Sequence, residues 1–71
     1  MQKPSRLSVI FEVSKELKVS PKFARSLVME SSNEWLTANA FAASPERFAW
    51  ALEDELSYYI DNELIPFVEF A

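Results

Sequence analysis

Apolar residues recur at spacings of three and four from the start of the chain: Leu7, Ile10, Phe11 and Leu17, with Ser14 in the same row and Val13 beside it. That period belongs to a helix and not to a strand. It predicts a first helix from about Ser5 to Leu17, with Arg6, Glu12, Lys15 and Glu16 on its polar side. Lys18 and Val19 form a short turn. Ser20-Pro21 then pairs an N-cap hydroxyl with proline at the first helical position, and a second helix runs from Pro21 to about Glu30 with Ala24, Leu27 and Val28 inward. Ser31, Ser32, Asn33 and Glu34 interrupt the pattern and match a capping box, Ser31 bonding the Glu34 amide while the Glu34 carboxylate reaches back. A third helix from Asn33 to Ala43 follows, or else one continuous helix from Pro21 to Ala43 with a polar waist. Ser44-Pro45-Glu46 repeats the start signal with an acid in the first turn. The last helix is expected to reach about Asp61 or Leu64, with Phe48, Leu52, Leu56, Tyr59 and Ile60 as its apolar stripe. Pro66 stops it. Residues 67–71, including Phe67 and Phe70, make an apolar tail that must fold back or insert into a neighbour to escape water.

The expected architecture is all-α: three to four short helices around one small core, with a helix-turn-helix-like N-terminal half, in a single domain spanning residues 1–71. The absence of glycine supports it, because two-residue hairpins depend on positive-φ residues that Gly supplies best. A chain of 71 residues buries only about 60% of the surface that its unfolded form exposes. With no Cys and no His, neither disulfides nor zinc can compensate, which leaves a partner, or unusually good helix packing, as the source of extra stability. A homo-oligomer, or docking on something larger, is the expectation. The apolar runs are too short to span a bilayer and the start leads into no signal-peptide core, so a cytoplasmic protein without membrane contact is expected.

The net charge of −4 conceals a division. Residues 1–28 carry six bases (Lys3, Arg6, Lys15, Lys18, Lys22, Arg25) against two acids, Glu12 and Glu16. Residues 29–71 carry Arg47 alone against nine acids. Such asymmetry points to nucleic-acid contact at the basic end or to an acidic surface offered to a basic partner.

Chemistry is confined by what is missing. Cys–His and Ser–His–Asp catalysis need residues that the chain lacks, and phosphate-cradling loops need glycine. A non-enzymatic protein with no cofactor, no metal and no small-molecule substrate is expected. Glu53, Asp54 and Glu55 are consecutive, so on a helix they fan out over about 200° and cannot converge on one atom.

The stretch from Val13 to Leu27 carries the one directional motif. Val13 and Ser14 supply an apolar and a small residue on the first helix, Val19-Ser20 end the turn, and Ala24 and Leu27 face inward on the second helix. In this it resembles the helix-turn-helix of bacterial and phage transcription regulators. The resemblance implies a second helix that presents its N-terminal outer face to the DNA major groove, commonly in a dimer. On that alignment Lys22, Arg25, Ser26 and Met29 form the outer row, Ser20 opens it, and Lys15, Lys18 and a Lys3/Arg6 arm grip the backbone. The chain departs from the family at Lys18, where glycine is preferred, at Ser14 for alanine, and at Ala24 for Val or Ile. An apolar helix followed by Lys-Glu-Leu-Lys-Val-Ser also looks like the small N-terminal module of bacterial translation initiation factor 2, which implies RNA or the ribosome as partner.

The acidic half supports a different function. Glu46, Glu53, Asp54 and Asp61 lie on a broad outer arc of the last helix, spaced so that they can imitate phosphates for a basic protein, although a plain solvated face has the same pattern. Trp50 and Tyr58 fall off the apolar stripe of that helix and would be exposed in a monomer. Together with Glu53, Asp54, Asp61, Phe67 and Phe70 they define a partner-binding face, and an adaptor or inhibitor as the alternative to a DNA-binding regulator.

Overall fold

The computed structural model describes residues 4–63, and hydroxyl caps decide where its helices begin. The helix α1, Arg6–Glu16, opens at Ser5, whose Oγ accepts from the Ser8 amide at 3.1 Å while Ser8 Oγ accepts from the Ser5 amide at 3.1 Å. Two otherwise orphaned donors are satisfied reciprocally. The helix α2, Pro21–Glu30, opens at Ser20, whose Oγ accepts from the Phe23 amide. The helix α4, Pro45–Asp61, opens at Ser44, whose Oγ accepts from the Arg47 amide at 3.2 Å. The starts of α2 and α4 are those that the Ser-Pro signals predict, and α1 begins beside Ser5 as the apolar spacing predicts.

Between α2 and α4 the expected single helix from Asn33 to Ala43 is replaced by two pieces, and the continuous helix from Pro21 to Ala43 is not formed. A 3₁₀ turn spans Glu34–Leu36 and a short helix α3 spans Ala38–Ala43. The Ser31–Glu34 capping box does not form either. Ser31 ends α2, and its Oγ accepts from the Asn33 amide instead. Asn33 Oδ1 takes the Trp35 amide at 2.9 Å, and Thr37 Oγ1 takes the Ala40 amide at 3.0 Å. Three short polar side chains in succession thus offer the backbone local partners that compete with a continuous helix. Asn33 Nδ2 also donates to Glu55 Oε2 at 2.8 Å, which ties this segment to α4.

The core is one cluster: Ile10 and Val13 from α1, Val19 from the turn, Ala24 and Val28 from α2, Leu36, and Phe48, Leu52 and Leu56 from α4. Phe41 packs edge-on against Phe48 with ring centres 5.3 Å apart, and Phe23 against Tyr59 at 5.9 Å. Each buried CH₂ contributes about 0.8 kcal/mol, so α4, which supplies three fully buried side chains, anchors the assembly. Two residues of the expected α1 stripe stay outside. Leu7 and Phe11 are 52% and 54% exposed, because α1 turns the arc of Ile10, Val13 and Ser14 inward and leaves them at its margin. Ile60, at the end of the α4 stripe, also lies at the surface. Among the described residues no helix is long and apolar enough to cross a membrane.

Candidate nucleic-acid interface

The bend between α1 and α2 is a tightly bonded helix stop. Leu17 caps α1, Lys18 takes a left-handed conformation at φ 59°, the Val19 amide donates to the Ser14 carbonyl at 2.8 Å, and the Lys18 amide to that of Lys15 at 3.2 Å. This is the paired bonding of a Schellman stop, normally built on glycine. It drops Val19 into the core against Ser14 and Ala24, all three fully buried. Ser14 satisfies its hydroxyl within its own helix by donating to the Phe11 carbonyl at 2.8 Å. Small side chains at positions 14 and 24 let the two helices approach closely at the bend.

With Ala24 and Val28 committed inward, the opposite side of α2 is fixed. Lys22, Arg25, Ser26 and Met29 are all exposed, as are Lys15 and Lys18. Ser20 is half-buried, its hydroxyl engaged in the cap. Arg6 approaches the far end of the row, its Nη2 lying 4.0 Å from Met29 Sδ. Lys3 lies outside the described residues. A shallow groove between α1 and α2 is lined, among the described residues, by Leu7, Ile10, Phe11, Pro21, Lys22 and Arg25, with two cations and no carboxylate. Leu7 and Phe11, which the periodicity assigns to the core, are therefore its apolar wall.

The carboxylates gather elsewhere. On the other flank of α1, a groove against α4 is lined by Glu12, Glu16, Glu46 and Glu53 over Val9, Val13 and Ala49, with no cation among the described residues. The two grooves share no residue. The consecutive acids of α4 part as their spacing requires: Glu53 lies in this groove, Asp54 borders a hollow with Trp35, Arg47 and Trp50, and Glu55 is bonded to Asn33. The broad acidic arc expected on α4 is thus divided, with Glu53 half-buried toward α1 and Asp54 and Asp61 exposed away from it.

Trp50 and Tyr58 are 67% and 59% exposed, as their position off the stripe predicts. Periodicity alone does not single out the partner of Trp50 in this patch, Trp35, which is brought there by the 3₁₀ turn. The Arg47 guanidinium lies over both indoles, 4.3 Å from the Trp35 ring centre and 5.8 Å from that of Trp50. Phe67 and Phe70 lie outside the described residues. Comparison of the chain with known protein families, characterised proteins and solved structures finds no match.

Proposed function

We propose that the protein is a small, non-enzymatic DNA-binding regulator of transcription that reads the major groove with α2. The observation that carries this reading is the Lys18 bend. By seating Val19, Ser14 and Ala24 in the core it turns the row Lys22, Arg25, Ser26 and Met29 to solvent, the side that a recognition helix presents to the groove. Lys22 and Arg25 reach base edges or phosphates, Ser26 adds an adaptable contact, and Lys15, Lys18 and Arg6 hold the backbone. Fluorescence anisotropy with labelled duplex DNA tests it: Arg25→Ala and Lys22→Ala each weaken binding by about tenfold, consistent with about 1–3 kcal/mol for a good base contact. Equal affinity of both variants and the unaltered protein would remove the reading.

A second reading draws on the groove between α1 and α4, where four carboxylates and an apolar floor would suit a basic segment of another protein. Charge reversal at Glu16 and Glu53 separates the two: an adaptor loses its captured partner, whereas a DNA-binding protein gains affinity for the duplex.

A further inference from the structure

The outward face of α4 carries its own complement, and we propose that it joins two copies of this chain across a two-fold axis with their α4 helices antiparallel. Arg47, Trp50, Ala51 and Asp54 follow one another at the i, i+3, i+4 and i+7 positions that share a helix face. Within this patch a large exposed ring stands beside a hollow. Trp50 is the most exposed large apolar side chain among the described residues, and next to it a concavity of about 270 Å³ is bounded by Ala51, Asn33, Trp35, Arg47 and Asp54. Charge is ordered about the same point, with Arg47 a turn before the Trp50–Ala51 pair and Asp54 a turn after it.

Two helices set antiparallel about a point between Trp50 and Ala51 bring the Trp50 of each copy over the Ala51 of the other, and each Arg47 opposite an Asp54. Set parallel, the same faces put Arg47 against Arg47 and Asp54 against Asp54. Only the antiparallel arrangement satisfies bulk and charge together, and such self-complementarity is what an isologous two-fold contact requires. The stacking of Arg47 on Trp35 and Trp50 assists it. A guanidinium lying over an indole keeps its in-plane N–H donors for a carboxylate, and a side chain with such a contact loses less freedom on pairing. Trp and Arg are also the residue types that dominate interface energetics. This proposal uses neither Lys22 nor Arg25, so it stands or falls apart from DNA binding.

Sedimentation equilibrium of the full chain without DNA, over a wide concentration range, tests it. The expected result is a monomer–dimer equilibrium that Trp50→Ala weakens by at least about 30-fold. Arg47→Asp and Asp54→Arg each weaken it by at least about tenfold. Combined in one chain, the two reversals recover at least about threefold of the affinity that either loses alone, because each new carboxylate again meets a cation while the contact of position 47 with Trp35 and Trp50 is lost. Circular dichroism on every variant confirms that the helices persist. A monomer at all concentrations would overturn the proposal. A dimer indifferent to Trp50→Ala, or a double reversal no better than its singles, would overturn it as well.

Discussion

Lys18 holds the conformation that a glycine would hold most cheaply, at φ 59° in a chain that contains no glycine at all. A non-glycine residue in this region carries a cost on the order of 1 kcal/mol or more. Lys18→Gly is therefore expected to raise the stability by about 0.5–1 kcal/mol, part of the relief being offset by the greater freedom of glycine in the unfolded chain. Urea denaturation checks this, and a loss of stability would show that the lysine side chain contributes more than its backbone costs. Ser14 illustrates a second compromise. Its buried hydroxyl is satisfied by the Phe11 carbonyl, so Ser14→Ala removes donor and bond together and should change stability by less than about 1 kcal/mol. Ser14→Leu instead overfills the point where α1 meets Val19 and Ala24, and should cost about 1–3 kcal/mol in the same assay.

At the scale of elements, the residues that begin helices were readable and the residues that orient them less so. Ser20-Pro21 and Ser44-Pro45 announce α2 and α4 because cap and proline act locally, without help from the rest of the fold. The break near residue 33 is also local, yet its form was not legible. The side chains of Ser31, Asn33 and Thr37 compete for adjacent amides, and the choice among them is coupled to a bond from Asn33 to Glu55, 22 residues away. Leu7 and Phe11 were misplaced for a related reason, since a helical stripe wider than its contact must leave some members at the margin, and only the neighbouring helices decide which. The exposure of Lys22 and Arg25 was legible because Ala24 and Val28 fix the opposite side of α2. The pairing of Trp35 with Arg47 was not, because it rests on the path of the 3₁₀ turn. Phe48, packed against Phe41 and fully buried, anchors that end of α4. Phe48→Ala should cost about 3–5 kcal/mol, enough to unfold most of a chain this small, as loss of the far-ultraviolet helical signal would show.

For the molecule as a whole, separation of charge matters more than its sum. The groove holding Lys22 and Arg25 and the groove holding Glu12, Glu16, Glu46 and Glu53 run along opposite flanks of α1. They are parted by about 10 Å, the width of a helix, which is close to the Debye length in physiological salt. A net charge of −4 therefore need not prevent the basic face from meeting a polyanion. The most direct test of the account is the affinity of the intact protein for duplex DNA at several salt concentrations. If α2 and its flanking cations neutralise about three phosphates, the log–log slope is near −2.7 and affinity falls roughly 40-fold between 50 and 200 mM salt. Absence of binding even at the lowest salt, or binding whose affinity does not change with salt, would contradict the account.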